Sequence, residues 1–337
     1  MATLATGIVS TGSYLPEREV GNEEVAGLVG IDPEWIDRKT QIARRRYAAR
    51  DEATSDLAVH AATRALAGAG LGADRIDYLI LSTSTGDSPQ PPTSALVQHA
   101  LGAYRAACVD INVVCSGFVY GLALANALVA RDPAAHALVI AADVYSRILD
   151  FSDRRTAVLL GDGAGAAVVG RVREPYGFVG FELSTHGYAQ NLIRVDAGGS
   201  RRPATHETVE AGEHYFRMDG RGVRDFVMEH VPPALRSLVD RAGVGLDGID
   251  HFVPHQANGV LLTELVKRAG LAGAQTHRTL ERYGNIGSAS VPVALDDAAQ
   301  SGRLRAGDTM LLAGFGGGMS IGACLLRWSA SPPQPAS

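Results

Sequence analysis

Apolar runs and segments with helical spacing alternate along this chain. The runs IDYLILSTS (76–84) and ALVIAADVY (137–145) are short and rich in β-branched residues, which predicts buried strands. The segments TSDLAVHAATRALAGAG (54–70) and PPALRSLVDRAG (232–243) place apolar residues at helical spacing, and the second opens with prolines as helix starts do. Strands that alternate with helices predict an α/β protein whose sheets are covered on both faces.

The chain also repeats itself over a long interval. AGLGADRIDYLIL (69–81) is identical at six of thirteen positions to AGVGLDGIDHFVP (242–254). TAVLLGDGAGAAVVGRV (156–172) resembles TMLLAGFGGGMSIGACLLRW (309–328), and each predicts a strand, a glycine-rich turn and a second strand. A period this long excludes a solenoid and favours two similar α/β halves.

We expect the boundary between the halves where VREPYGFVG interrupts the pattern, near residues 171–180. This places an N-terminal half at residues 1–173 and a C-terminal half at residues 174–329. The Pro/Ser-rich end of the chain, residues 330–337, is expected to be a disordered tail.

Composition narrows the classes of function. With 337 residues, 46% hydrophobic and 20% charged, the chain is typical of a globular protein with two core-sized units. A net charge of −5 without a basic block gives no reason to expect a nucleic-acid partner. No apolar run is long enough for a membrane span, and the N-terminus does not read as a signal peptide. Three scattered cysteines fit neither a disulfide framework nor a zinc site, so we expect a cytoplasmic protein without a metal.

Cys115, in the stretch DINVVCSGFVYGL, is the first candidate for chemistry. It follows an apolar run and precedes a segment with helical character, which places it at the N-terminus of a helix. The helix dipole and free N–H groups there favour a thiolate and predict a lowered thiol pKa, and the same N–H groups are able to hold an oxyanion. The alternative is an inert core cysteine, since free cysteine is among the most buried residue types.

Two other strand-end segments carry polar side chains. His255, in VPHQAN, follows a short apolar strand, and Asn285, in ERYGNIGSASVP, lies in a glycine-bracketed turn. In open α/β sheets ligands bind at such strand ends, although a structural histidine and a turn asparagine are the simpler explanations. The glycine-rich GFGGGMS (314–320) lacks the G-K-S/T ending of a phosphate loop. We therefore interpret its glycines as allowing backbone N–H groups to come close to a reacting centre. One Cys, one His and one Asn fit acyl transfer through a thioester.

These motifs together resemble the β-ketoacyl-acyl-carrier-protein synthase III family: VVCSGF, VPHQAN, YGNIGSAS and GFGGG occur in that order, and the likeness covers nearly the whole chain. The resemblance implies a thiolase-like fold, a duplicated five-layer α/β/α/β/α arrangement in a homodimer. It also implies an acyltransferase that performs the starter step of fatty-acid or polyketide biosynthesis.

The resemblance assigns roles to residues. Cys115 would take an acyl group from acyl-CoA, and His255 and Asn285 would stabilise the enolate formed when malonyl-acyl-carrier-protein loses CO2. The backbone N–H groups of Cys115 and Gly317 would form the oxyanion hole, and Phe315 would gate or orient the cysteine. No cofactor is implied beyond these thioester substrates.

Three further residues match CoA-binding positions of the family: Trp35, Arg154 and, where the family commonly has arginine, Lys39. The chain departs from the family elsewhere as well. Val260 stands where a carrier-docking arginine is common, and Gln90 precedes Pro91 where some members have a phenylalanine that lines the acyl pocket. Carrier docking and acyl-chain length therefore do not follow from the resemblance.

The principal alternative is a related acyltransferase that passes the acyl group to a hydroxyl or a carrier without forming a carbon–carbon bond. Retention of Asn285 beside His255 favours condensation. A thiolase is disfavoured because Cys324 lies beyond the C-terminal glycine loop, within an apolar strand. A hydroxymethylglutaryl-type synthase needs a glutamate base for which the sequence has no clear candidate, and a non-catalytic partner subunit would be expected to lose Cys115.

Overall fold

The strands of the computed structural model, which describes residues 4–132 and 134–329, follow the apolar runs of the sequence. The expected tail at 330–337 lies outside the described residues. The strands are β1 (Leu4–Tyr14), β2 (Arg18–Gly21), β3 (Arg44–Tyr47), β4 (Tyr78–Ser82), β5 (Ala107–Ile111), β6 (Ala137–Val144), β7 (Asp162–Arg173), β8 (Gly177–Thr185), β9 (Ile193–Arg194), β10 (Arg217–Met218), β11 (His251–Pro254), β12 (Gln275–Thr276), β13 (Thr309–Gly316) and β14 (Ser320–Arg327).

Helices occupy most of the connections between these strands. They are α1 (Asn22–Val29), α2 (Pro33–Thr40), α3 (Thr54–Ala69), α4 (Thr93–Leu101), α5 (Gly117–Val129), α6 (His206–Glu210), α7 (Gly220–Arg241), α8 (Gly259–Ala269), α9 (Leu280–Tyr283) and α10 (Ser290–Gln300). No helix in the described ranges is both long and apolar enough to cross a membrane.

Two five-stranded sheets have the same topology. The first runs β1-β7-β6-β4-β5 and the second runs β8-β14-β13-β11-β12. In each sheet the fourth strand in this order (β4 or β11) pairs in parallel with both neighbours, and the remaining pairings are antiparallel. β4 and β11 hold equivalent positions, and they lie in the two matching segments 69–81 and 242–254. The duplication indicated by the sequence is therefore a duplication of strand order.

The helices form three layers around the two sheets. α3 and α4 cover the outer face of the first sheet, and α7 and α8 cover the outer face of the second. α5 and α10 lie between the sheets, where Leu122 and Leu295 share a core with Val139 of β6 and Leu312 of β13. The result is the five-layer α/β/α/β/α arrangement, which confirms the predicted fold class.

The second sequence match assigned one strand wrongly. The apolar run at 156–160 was predicted as a strand that ends in a glycine turn, but it forms a turn, and the glycine-rich GDGAGA lies mostly within β7. The strand equivalent to β13 is β6 instead. The run remains outside the sheet because its backbone bonds elsewhere: the Leu159 carbonyl accepts from the N–H of Asn285 at 2.8 Å, and the Gly161 N–H donates to the Asn285 carbonyl at 2.9 Å.

The helix predicted over 232–243 is the second half of a longer helix. α7 begins at Gly220, where the Asp219 carboxylate accepts from the backbone N–H groups of the first turn, and Pro232 and Pro233 lie inside it. Prolines interrupt helical hydrogen bonding at a cost of about 3 kcal/mol. Burial of Phe226 and Val231 against the second sheet offsets that cost, because large apolar side chains contribute about 1.5–3 kcal/mol each when buried.

A close approach between α3 and β1 of the first sheet requires a glycine. A Cβ on Gly12 of β1 would lie 2.4 Å from the backbone nitrogen of Ala65 and 2.6 Å from the carbonyl oxygen of Ala61. Both atoms belong to helix backbone, so relief requires a shift of the whole helix.

We predict that Gly12→Ala lowers the free energy of unfolding by about 1–3 kcal/mol, because the methyl group overpacks the contact between α3 and β1. The matched control is Gly27→Ala in α1, where no atom lies within 4 Å of the added Cβ. Alanine there is expected to raise stability by roughly 0.5–1 kcal/mol. Urea unfolding followed by circular dichroism measures both, and equal effects of the two substitutions would contradict the packing argument.

Candidate active site

Three residues predicted from separate motifs line one cavity. Cys115 lies in a short 3-10 turn immediately before α5, His255 follows β11, and Asn285 lies in the turn between α9 and α10. Phe315, at the end of β13, lines the same cavity. The fold therefore brings together residues that are up to 200 positions apart in the sequence, Cys115 and Phe315.

The backbone around the nucleophile candidate is strained and tightly covered. Val114 has φ of +45°, a left-handed conformation that is a genuine outlier for a β-branched residue. The glycine-rich loop 314–320 packs directly against this backbone. A Cβ on Gly317 would lie 2.8 Å from a methyl of Val114, and one on Gly316 would lie 2.8 Å from the Cys115 sulfur. The sequence GFGGGMS therefore serves close backbone approach to Cys115.

Cys115 is buried, with 7% of its surface exposed. Burial raises the pKa of its thiol to about 12, with a further increase from the nearby Asp143 carboxylate. The backbone N–H groups of Gly317 and of Cys115 itself act on the sulfur in the opposite direction. The prediction of a lowered thiol pKa is wrong, because loss of hydration and a buried negative charge outweigh the helix terminus.

Sequence reasoning missed Asp143, the last polar residue of the apolar strand β6. One carboxylate oxygen accepts from the backbone N–H of Ser84 at 2.9 Å, and the other accepts from the N–H and hydroxyl of Ser288 at 2.9 and 2.7 Å. Among the described residues it has no cationic partner. Its burial raises its pKa. A lone aspartate within ALVIAADV was the available signal.

His255 is a buried neutral imidazole. Only 2% of its surface is exposed, and burial lowers its pKa to about 3. Its ring stands edge-on to Phe315, with centroids 5.5 Å apart at 86°. A neutral imidazole has one N–H donor and one acceptor nitrogen. His255 is therefore suited to donate a hydrogen bond in the cavity without carrying charge.

Asn285 has one end of its amide fixed. Its Oδ1 accepts from the Gly287 N–H at 3.0 Å, which assigns Nδ2 as the group available to donate to a bound molecule. Its backbone is held by Leu159 and Gly161, as described above. Gly287 is required at φ of +54°, because a Cβ there would lie 2.3 Å from the Tyr145 ring and 2.5 Å from an oxygen of Asp143.

Two of the predicted CoA-binding residues lie together. The Arg154 guanidinium is 5.7 Å from the centre of the Trp35 ring, which lies half-buried on α2. Lys39 is exposed one turn further along the same helix. Gln41 then adopts φ of +57°, and its side-chain oxygen accepts from Arg278 at 2.6 Å, a contact that sequence reasoning did not anticipate.

The cavity beside Cys115 is small and largely apolar. Its volume is about 40 Å³, and Tyr145, Leu160, Ile193 and Phe216 contribute to its walls in addition to the predicted residues. No group of three or more His, Cys, Asp or Glu residues in the described ranges is arranged to hold a metal ion. A buried sulfur, two uncharged donor side chains and two backbone N–H groups are suited to thioester chemistry.

Family profiles match both parts of the site. The profile of 3-oxoacyl-acyl-carrier-protein (ACP) synthase III matches residues 109–187, which include Cys115. The profile of the C-terminal region of the same family matches residues 239–328, which include His255 and Asn285.

Individual proteins resemble the chain over nearly its full length. Acetoacetyl CoA synthase NphT7 of Streptomyces sp. (strain CL190) is 50% identical over 324 residues, which is 95% of this chain and 98% of that protein. The crystal structure of 3-oxoacyl-(acyl carrier protein) synthase III from Pseudomonas aeruginosa PAO1 is 35% identical with a TM-score of 0.89, covering 98% of this chain and 100% of that one. The priming β-ketosynthase of the R1128 polyketide pathway is 34% identical with a TM-score of 0.90, covering 98% and 97%.

The raised thiol pKa predicts a specific pH dependence. Because the pKa of Cys115 is about 12, its thiolate fraction should rise about tenfold per pH unit from pH 6 to 9. Iodoacetamide alkylation of the Cys115 peptide, followed by mass spectrometry, should show that slope without a plateau. Cys115→Ala gives the background from Cys108 and Cys324. A plateau near pH 7 would mean a low thiol pKa and would overturn this electrostatic account.

Proposed function

Because the chain belongs to the 3-oxoacyl-acyl-carrier-protein (ACP) synthase III family, we propose that it is a condensing enzyme that joins an acyl group from acyl-CoA to a malonyl thioester. The observation that carries the proposal is the convergence of Cys115, His255 and Asn285 on one buried cavity. The product is a β-ketoacyl thioester, the first intermediate of a fatty-acid or polyketide chain. We place the nucleophile in an N-terminal half, 1–173, and the other two side chains in a C-terminal half, 174–329.

In the loading step, the Cys115 sulfur attacks the thioester carbonyl of acyl-CoA. The carbonyl oxygen becomes an oxyanion, and the N–H groups of Cys115 and Gly317 donate to it. Support comes from the hydrogen bonds that those two backbone N–H groups make to the Cys115 sulfur, which lower its pKa. The tetrahedral intermediate collapses with release of CoA, whose sulfur takes the proton that the thiol gives up. Loss of one oxyanion donor typically slows such steps about 10²–10³-fold.

In the condensation step, His255 and Asn285 donate hydrogen bonds to the thioester carbonyl of the malonyl group. Its carboxylate leaves as CO2, and the electron pair of the broken bond forms an enolate held by these donors. The enolate carbon attacks the acyl group on Cys115, and the sulfur leaves and is reprotonated. The neutral state of His255 supports this role, because a neutral donor suits an oxyanion that forms and disappears within one cycle.

The nucleotide end of acyl-CoA is assigned to the surface around α2. The pairing of Trp35 with Arg154 supports an adenine site there, with Lys39 near a phosphate. The proposal includes a homodimer that uses acyl-CoA and a malonyl thioester and has no resident cofactor or metal.

A second candidate differs in the carrier of the malonyl group, which would be CoA. The relative that is 50% identical is named acetoacetyl CoA synthase, a name that specifies a CoA product. The surface beside the cavity agrees: Val260 is 47% exposed where the family commonly has a docking arginine. Arg224 and Arg268, on α7 and α8, are both paired with Glu264, which reduces the positive charge offered to an acidic carrier protein.

We predict that different substitutions block the loading step and the condensation step. Cys115→Ala should abolish loading, since Cys115 is the one thiol among the described residues that line the cavity. His255→Ala and Asn285→Ala should load acetyl-CoA but lose condensation by about 10²–10³-fold each, the usual effect of one lost donor. Intact mass spectrometry after acetyl-CoA, then after a malonyl thioester, measures both steps.

Cys108→Ala, which removes a half-buried thiol away from the cavity, is the matched control and should do both steps. Loading without CO2 release by the unmodified enzyme would favour the related acyltransferase instead. Loading that survives Cys115→Ala would refute the assignment of the nucleophile.

The carrier is tested by competition. The acetyl-enzyme is offered malonyl-CoA and malonyl-acyl-carrier-protein at equal concentration, and the products are separated by mass. If the paired charges near Val260 determine which carrier is used, acetoacetyl-CoA should exceed acetoacetyl-acyl-carrier-protein among the products by about tenfold or more. Val260→Arg adds one positive charge and should shift the ratio toward the carrier protein, and this shift should weaken with salt. A product formed mainly on the carrier protein in the unmodified enzyme would reject the second candidate.

A further inference from the structure

The Gln256 side chain is buried, with 0% exposure, and every hydrogen-bonding group of its amide is used. The amide nitrogen donates to the Pro254 carbonyl at 2.7 Å and to the His277 carbonyl at 3.1 Å. The amide oxygen accepts from the backbone N–H groups of Thr279 at 2.9 Å and of Leu280 at 3.3 Å. A glutamine amide has two N–H donors and one oxygen with two lone pairs, so these four contacts satisfy it completely.

These contacts join the segment that carries His255 to the segment that leads to Asn285. Gln256 follows His255 at the end of β11, whereas Thr279 and Leu280 begin α9, which ends two residues before Asn285. The first N–H groups of a helix have no partner within it, and Thr279 supplies no cap from its own side chain. Gln256 therefore caps α9 from a different segment and fixes its start against the end of β11.

A second connection holds the same segment to β11 independently of Gln256. The Nε2 atom of His277 is 3.0 Å from the Nδ1 atom of His251, whose Nε2 is 2.9 Å from an oxygen of Asp308. The backbone N–H of His277 also donates to the Phe252 carbonyl at 2.9 Å. These contacts remain when Gln256 is changed, so the loss of its amide should displace the segment that follows residue 277 without detaching it from the sheet.

From this geometry we propose that Gln256 is a positioning residue for the condensation step, because it fixes the His255 imidazole and the Asn285 amide relative to each other. The inference rests on the proposed function, in which both side chains donate to one malonyl carbonyl oxygen. A misplacement of about 1 Å costs such an arrangement about 10²-fold in rate. Loading on Cys115 uses neither donor. Gln256 is not among the described residues that line the cavity, so it acts through its neighbours.

The test measures the two steps separately in Gln256→Met, which keeps the side-chain length and removes the amide. Acetyl-CoA loading, followed by intact mass spectrometry, should stay within about twofold of the unmodified enzyme. The acetyl-enzyme is then reacted in single turnovers with the malonyl thioester that the unmodified enzyme uses. The maximal rate should fall about 10–100-fold, and the half-saturating concentration should change less than about threefold.

The matched control is Gln98→Met in α4. Gln98 is half-buried, and its amide nitrogen likewise donates to a backbone carbonyl, that of Ala106 at 3.2 Å. It lies in the first half of the chain, away from the segments that carry His255 and Asn285. Both steps should therefore keep the rates of the unmodified enzyme.

Gln256→Glu tests the hydrogen bonds themselves. Its carboxylate still accepts from the N–H groups of α9, but its other oxygen faces the Pro254 and His277 carbonyls and has no proton to donate. Protonation restores one donor. The maximal condensation rate, divided by that of the unmodified enzyme at each pH, should therefore rise at least about threefold from about pH 8.5 to about pH 6. The division removes the contribution of His251 and His277, which both proteins share.

The outcomes separate this inference from the proposed function. Condensation by Gln256→Met at the unmodified rate, or an equal loss in both steps, would overturn the inference and leave the condensing activity standing. A raised half-saturating concentration with an unchanged maximal rate would assign Gln256 to substrate binding and would also overturn it. If urea unfolding shows that the methionine variant does not fold, the glutamate variant decides, and a ratio independent of pH rejects the inference. Failure of the unmodified enzyme to release CO2 would overturn the inference and the proposed function together.

Discussion

One buried carboxylate connects the first sheet to the turn before α10, at the place where chemistry is proposed. Asp143 ends β6 of the first sheet and accepts from Ser288, in the turn that leads into α10. Through Ser288 it fixes Gly287, which binds the Asn285 amide on one side and contacts Tyr145 on the other. Its remaining hydrogen bonds hold the loop after β4. The positions of the Asn285 amide, the Tyr145 ring and the loop after β4 all depend on this one side chain.

That connection has an electrostatic consequence. A buried carboxylate without a cation keeps nearby acidic groups protonated, and both the thiol of Cys115 and the phenol of Tyr145 have raised pKa values partly for this reason. Burial independently keeps His255 neutral. The resting site therefore holds its reactive side chains uncharged, and its positive potential comes from backbone N–H groups. Such groups stabilise charge that appears on a substrate and need no counter-ion before it appears.

Much of this could be predicted from sequence because the signals are local. The apolar strands ahead of Cys115 and His255 and the glycine-bracketed turn around Asn285 identified these residues, and the repeated segments indicated the duplicated topology. The expectation that Asn285 follows a strand is wrong, because α9 precedes it. The thiol pKa was predicted to shift in the wrong direction, and the contacts of Asp143 and Tyr145 and the start of α7 were not predicted, since each depends on contacts between distant segments. The same limit explains the error at 156–160: an apolar run reads as a strand whether its backbone pairs with a sheet or, as here, with the turn around Asn285.

The equivalence of the two sheets has a consequence for how the site is assembled. In both halves a 3-10 turn leads into the central helix, Val114–Ser116 before α5 and Gly287–Ala289 before α10, and the two turns contact each other. Cys115 lies in the first turn, and Asn285 lies two residues before the second. The proposed catalytic centre thus lies between two halves that have the same strand order. Neither half alone contains all three of the proposed catalytic residues.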